Sequence, residues 1–147
     1  MQQEMNEQER MEALPQIAGF GNKQMGDGLP REPAKHVMHG HKGKITKLIV
    51  HPFYNMVATA SEDASIRLWD FESGEQERML KSHAGMVTFL AFNSNGNILA
   101  SSATDLAIKL WNLETGTVMK TLNGHEHEVS GLAFVPGTDF LLSCSRD

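Results

Sequence analysis

Residues 40–70 read GHKGKITKLIVHPFYNMVATASEDASIRLWD. The stretch opens Gly40-His41 and closes Trp69-Asp70, and the chain then repeats it. Ser82-His83 and Trp111-Asn112 stand 42 residues further on, and Gly124-His125 opens a third copy after another 42. A fixed period of this length marks one supersecondary unit copied along the chain, each copy burying a face against the next.

Each copy reads as four short strands joined by turns. In the first, Ile45 to Val50 is β-rich, His51-Pro52-Phe53-Tyr54-Asn55 is a turn, and Met56 to Ala60 is a second strand. Glu62-Asp63-Ala64 turns tightly into Ser65 to Trp69, and Ser73-Gly74 leads to a fourth strand at Glu77 to Leu80. The second copy gives Val87 to Phe92, Ile98 to Ser102, Ala107 to Trp111 and Val118 to Leu122. Its turns carry Asn95-Gly96 and Thr115-Gly116, and Asn-Gly pairs supply the positive φ angles of two-residue hairpins. The third copy gives Val129 to Phe134, the turn Pro136-Gly137, and Phe140 to Cys144. The period, with Gly-His at the start and Trp-Asp at the end, is the signature of a propeller blade. The expected fold is all-β: about two and a half four-stranded antiparallel blades. Residues 40–81, 82–123 and 124–147 form the three repeats, the last truncated. Lys35 to Met38 aligns with Glu77 to Leu80, so 34–39 is expected to be an orphan outer strand. An orphan strand at one end and half a blade at the other lead us to expect a fragment of a closed ring, with sheet edges that closure would cover.

Four residue types recur in register. They are His41, Thr59, Asp63 and Trp69; then His83, Ser101, Asp105 and Trp111; then His125, Ser143 and Asp147, without the Trp. A histidine, a hydroxyl, a carboxylate and an indole N–H can satisfy one another as a chain of hydrogen bonds, as buried polar groups require. The set also looks like a Ser–His–Asp catalytic triad. A catalytic set, however, occurs once, in a pocket, beside an oxyanion hole. This one recurs with each copy, includes a Trp that such catalysis does not use, and comes without a G-x-S-x-G elbow. We therefore expect structural tetrads and no enzyme.

The rest of the composition bounds the function. Net charge is −5, from 18 acidic and 13 basic residues, which is no nucleic-acid footprint. One cysteine, Cys144, cannot form an internal disulfide and suits a reducing compartment. No apolar run reaches the ~18 residues of a membrane span, and the polar, acidic start lacks a signal-peptide core. A cytosolic or nuclear protein is expected, without membrane contact. Residues 1–33 read as a helix end followed by a flexible linker. Gln2 to Ala13 has helix-forming residues but a thin apolar stripe, and Gly19, Gly21, Gly26 and Gly28 then precede Pro30 and Pro33. His125 and His127, flanked by Glu126 and Glu128, make zinc conceivable, but His125 is committed to the repeat and His127 falls in an exposed turn. His36 and His39 are expected on the surface. Cys144 occupies the position of Ala60 and Ser102 and is expected to be a packed core thiol. No cofactor or metal is expected.

Residues 40–147, about three quarters of the chain, resemble WD40-repeat proteins, and several segments resemble the lissencephaly-1 (nuclear distribution, NudF-type) family. These are Pro30-Arg31-Glu32-Pro33 leading into Gly40-His41, the run from Ser61 to Asp70, Ile108 to Trp111, Gly124 to Ser130, and Ser143 to Asp147. The resemblance implies a seven-bladed propeller and a non-enzymatic regulator of cytoplasmic dynein in microtubule-based transport, nuclear migration and spindle positioning. It implies localisation to the cytoplasm and cytoskeleton, at microtubules, centrosome or spindle pole. The implied partners are the dynein motor domain and associated nuclear-distribution proteins. Family members also serve as the non-catalytic subunit of a platelet-activating-factor acetylhydrolase complex. They dimerise through a LisH motif and coiled coil, neither visible here, so a homodimer is expected only if those lie upstream. By the same resemblance, the residue before each repeat's Asp points to the propeller's narrow face. Here those residues are Glu62, Thr104 and Arg146, and Arg146 matches a basic position the family uses on the dynein motor ring. The second hypothesis is a generic WD40 adaptor in another multiprotein complex.

Overall fold

A computed structural model describes residues 33–147. The expected helix end and linker lie, up to residue 32, outside the described residues. The unit from Lys35 to Asp147 is built of strands alone. They are β1 Ile45–Val50, β2 Met56–Ser61, β3 Ser65–Asp70, β4 Gln76–Lys81, β5 Val87–Phe92, β6 Ile98–Ala103, β7 Ile108–Asn112, β8 Thr117–Leu122, β9 Val129–Phe134 and β10 Leu141–Ser145. Each strand pairs antiparallel with its sequence neighbour. This gives two four-stranded meanders, β1–β4 and β5–β8, and a two-stranded sheet of β9 and β10. Hairpin connections make that order inevitable, because antiparallel neighbours need only a short turn.

The sheets stack through their first strands, β1 against β5 and β5 against β9. Side chains alternate across a strand, so each sheet has two faces. The rear face of the first sheet carries Ala58, Ala60, Ile66, Leu68 and Leu80, placed together by the pairings Ala58↔Leu68, Ala60↔Ile66 and Ile66↔Leu80. It packs on the front face of the second sheet, where Val87, Leu90, Leu99 and Trp111 complete one continuous core. The small residues in β2 let the sheets approach closely, while the leucines opposite fill the gap. The second strand of each four-stranded sheet, β2 and β6, is buried along nearly its whole length. They therefore read as apolar and small-residue runs rather than as alternating patterns.

A bulge recurs where each first strand begins, between Ile45 and Lys47, between Val87 and Phe89, and opposite Cys144 and Ser145. The extra residue is a hydroxyl each time. Thr46 donates to the Val87 carbonyl of the next sheet, Thr88 to the Ser102 carbonyl at 3.3 Å, and Ser130 to the Cys144 carbonyl at 3.3 Å. A bulge leaves its extra residue unpaired in the ladder, and the side-chain hydroxyl finds a main-chain partner there.

Three expectations are corrected. Residues 34–39 form no strand. A strand exists only where a ladder partner accepts its N–H groups, and among the described residues none lies beside this segment; His36 instead bonds the Glu72 carbonyl at 2.8 Å. Cys144 is exposed and not a packed core thiol. Its counterparts Ala60 and Ser102 are covered by a third strand and a neighbouring sheet, and nothing described lies beyond β10. Asn95-Gly96 is not a two-residue hairpin. The β5–β6 connection runs over 93–97, and a β-turn within it is closed by the Gly96 N–H on the Asn93 carbonyl at 3.0 Å. Asn at the first and Gly at the fourth place is the usual composition of a type I turn. Gly96 alone in this loop has positive φ, at 74°.

The first sheet explains the need for glycine there. His51, in the turn after β1, is buried. Its Nδ1 accepts from the amides of Phe53 at 3.1 Å and Tyr54 at 2.9 Å, so its Nε2–H donates to the Gly96 carbonyl at 2.8 Å. A Cβ on Gly96 would lie 2.4 Å from the imidazole. Gly96→Ala is therefore expected to lose this inter-sheet contact as well as about 1–2 kcal/mol for the left-handed backbone. A urea midpoint unchanged from wild type would contradict it.

Candidate functional site

The structure brings the recurring polar residues together at the turn end of each sheet. In the first, Trp69 Nε1–H donates to Thr59 Oγ1 at 2.8 Å, Thr59 Oγ1 meets His41 Nε2 at 2.8 Å, and His41 Nδ1 meets Asp63 Oδ2 at 3.0 Å. In the second, Trp111 donates to Ser101 at 2.8 Å, Ser101 meets His83 Nε2 at 2.8 Å, and His83 Nδ1 lies 2.9 Å from Asp105. In the third, His125 bonds Ser143 at 2.9 Å and Asp147 at 3.1 Å. The donor order that satisfies every atom is indole to hydroxyl to imidazole to carboxylate, which sets the Nδ1–H tautomer. Among the described residues, the buried side-chain atoms left without a partner are Arg67 Nε and Ser145 Oγ, neither of them in a relay.

Burial grades the three relays. The His83 side chain is 1% exposed and that of His125 25%. The second relay lies inside a stack of sheets on both sides, while the third sits on a two-stranded edge. Burial pushes the His83 imidazole below its usual range, and Asp105 counters this only partly. Burial also works to raise the carboxyls of Asp63 and Asp105, but hydrogen-bond donors outweigh it and hold both below the usual range. For Asp63 the donors are the Ser65 hydroxyl, the Lys42 N–H and His41; for Asp105 they are the Ala84 N–H, His83 and the Ala107 N–H. Asp147 is held at about 2, chiefly by the Glu126 N–H.

These donors show what the relay does. The main-chain N–H that follows each histidine, at Lys42, Ala84 and Glu126, points to the relay carboxylate at 2.9, 2.9 and 2.6 Å. The loop before each first strand is thereby tied to the turn after the second. At Gly43 the loop sits so close that a Cβ would lie 2.9 Å from the Asp63 amide nitrogen. The turn itself is strained: Ala64 and Leu106 have φ of 61° and 65°, which costs a non-glycine residue of order 1 kcal/mol. Asp63 and Asp105 brace it by accepting the N–H two residues on, at 3.0 and 3.2 Å. In the first sheet the Ser65 hydroxyl adds a further bond to Asp63.

Immediately before each relay Asp stands an exposed residue, Glu62, Thr104 and Arg146. The tether and the brace fix the turns that display Glu62 and Thr104, and the tether fixes Arg146. His127 occupies the third copy's equivalent of Gly43 and is exposed, so a side chain stands where the first two copies have none. No group of three or more His, Cys, Asp or Glu positioned for a metal occurs among the described residues. His36 and His39 are exposed beside the first sheet.

The Ser101 hydroxyl is fully buried and shared between Trp111 and His83. A nucleophile must meet its substrate, and this hydroxyl meets only its neighbours. Sequence reasoning missed Ser65, His51 and the three tethering amides. Ser65 has Ala107 as its counterpart and His51 has Asn93, so neither carries a repeat signal. The amides are invisible in side-chain patterns.

Comparison with known proteins places this geometry. The family model "WD domain, G-beta repeat" matches residues 33–70, 74–112 and 116–147. The "Lissencephaly-1 homolog" of Dictyostelium discoideum is 53% identical over 55 residues, which cover 37% of this chain and 13% of that protein. The homologue of Trichoplax adhaerens is 47% identical over 59 residues, 40% of this chain and 14% of that one. That of Glossina morsitans morsitans is 46% identical over 72 residues, 49% and 17%. The chain thus spans less than a fifth of the length of these relatives. Solved structures of U3-55K and of the RRP9 WD40 repeats each superpose with a TM-score of 0.70 at 34% identity, covering 72% of this chain and 34% of theirs. The repeat model covers most of the polypeptide, and the chain belongs to the WD40-repeat family.

Proposed function

We propose that the chain is a non-enzymatic WD40 scaffold that acts as the lissencephaly-1 family does, regulating cytoplasmic dynein in microtubule-based transport, nuclear migration and spindle positioning. The observation that carries this reading is the display of Glu62, Thr104 and Arg146 at one register position, each beside its repeat's relay. The partial identity to lissencephaly-1 homologues supports it. Arg146 is the residue that contacts the dynein motor, since a guanidinium pairs bidentately with carboxylates. On this reading the protein works in the cytoplasm, at microtubules and spindle poles, with nuclear-distribution proteins. We expect Arg146→Ala to weaken capture of the purified dynein motor domain by about 1–2 kcal/mol, with the melting temperature nearly unchanged. Unaltered affinity removes Arg146 from the site.

A second reading, a WD40 adaptor of another assembly, is favoured by the likeness to U3-55K and RRP9, which extends over more of the chain than the lissencephaly-1 matches. Failure of the wild-type chain to capture dynein selects it.

A further inference from the structure

Asparagine precedes glycine twice in the chain, at Asn95-Gly96 and at Asn123-Gly124. Glycine has no Cβ to keep a neighbouring group from its amide nitrogen, so this pair is the one in which an asparagine side chain most readily closes on the main chain. Both asparagines are exposed, but the two glycines are not alike. Gly96 is buried in a pinned turn. Its N–H donates to the Asn93 carbonyl at 3.0 Å, and its carbonyl accepts from His51 at 2.8 Å. Asn93 adds two side-chain bonds across the same turn, from the Ile98 N–H at 3.0 Å and to Asn97 at 2.8 Å. Gly124 is exposed, beyond the end of β8. Among the described residues, nothing pairs with its N–H or with the Asn123 side chain. The counterparts Lys81 and Ser82 lie between two complete four-stranded sheets and are exposed as well, so the openness belongs to this position of the repeat.

We propose that Asn123 is a site of spontaneous deamidation in the folded protein, and that the fold protects Asn95. The Gly124 nitrogen gives its proton to solvent base and attacks the Asn123 side-chain carbonyl carbon. A C–N bond forms, the bond to Nδ2 breaks, and ammonia leaves with a proton. Water then opens the resulting five-membered imide at either carbonyl, giving aspartate or isoaspartate. At Asn95 the same attack requires the turn to open first, because the Gly96 N–H and the backbone around it are already committed. Local opening of this kind has a free-energy cost, and a reaction that depends on it slows accordingly. Conversion of Asn123 places a new carboxylate two residues before His125. The isoaspartyl product also adds a methylene to the main chain, in the loop whose Glu126 N–H is tied to Asp147. The chemistry is independent of whichever partner the protein takes.

The full chain is aged in mildly alkaline buffer, with and without concentrated urea, and both sites are followed by proteolytic mapping and mass spectrometry. Each conversion replaces an amide by a carboxyl, and the isoaspartyl peptide separates from the aspartyl one. In urea the two asparagines are expected to convert at similar rates. In the folded chain Asn123 is expected to keep its rate, while Asn95 slows at least about fivefold, the factor that one intramolecular hydrogen bond supplies. His51→Ala frees the Gly96 carbonyl and is expected to quicken Asn95 without changing Asn123. Comparable rates at the two sites in the folded chain overturn the proposal. So does an Asn123 that folding slows as much as Asn95.

Discussion

Trp111→Ala is expected to be the most damaging single substitution, at about 3–5 kcal/mol, a large part of the 5–15 kcal/mol that holds a domain of this size together. Trp111 is 2% exposed and belongs to the continuous core between the first two sheets. Its removal opens a cavity that neighbouring strands, locked in their ladders, cannot fill. It also takes away the indole N–H that Ser101 receives at 2.8 Å. Trp111→Phe separates the two effects, since it keeps most of the volume and loses the donor, for about 1–2 kcal/mol. Urea unfolding followed by far-ultraviolet circular dichroism gives both numbers. Equal losses for the two variants would mean that the relay outweighs the packing.

Asp63→Ala is expected to cost about 1–3 kcal/mol at neutral pH, because His41 Nδ1–H, the Lys42 amide and the Ser65 amide lose one shared acceptor. The effect depends on pH. The folded state holds the Asp63 carboxyl below its unfolded value, so its contribution is complete above about pH 4 and is lost as pH falls through the folded value. The gap between wild type and variant should therefore narrow below about pH 4. His83 adds an earlier step with the same sign. Burial favours its neutral ring in the fold, the unfolded chain takes up a proton first, and stability declines as pH falls below about 6.5. Urea midpoints near pH 7.5, 5 and 3.5 test this. A gap that widens in acid would show that the carboxylate is not the stabilising species.

The period of 42 residues made most of this architecture legible in advance. It needs only identity of residue type at fixed spacing, and His41, Thr59, Asp63 and Trp69 recur with it. Strand positions followed because β-rich runs alternate with turn residues on the same period. Features without a repeat could not be read this way. The His51 contact with Gly96 joins two turns 45 residues apart, and its counterpart in the next copy is an asparagine.

Cys144 marks where pattern and environment part. Its place in the repeat matches Ala60 and Ser102, yet it is exposed. Residues 34–39 align with β4 and still form no strand. The sequence alone determined the unit, its strands and the membership of the relays, because these are properties of local spacing. Burial and the strained turns at Ala64 and Leu106 were decided only by tertiary structure. Each depends on which neighbour stands across a face or ladder, and a residue's position in a repeat does not say whether that neighbour is there.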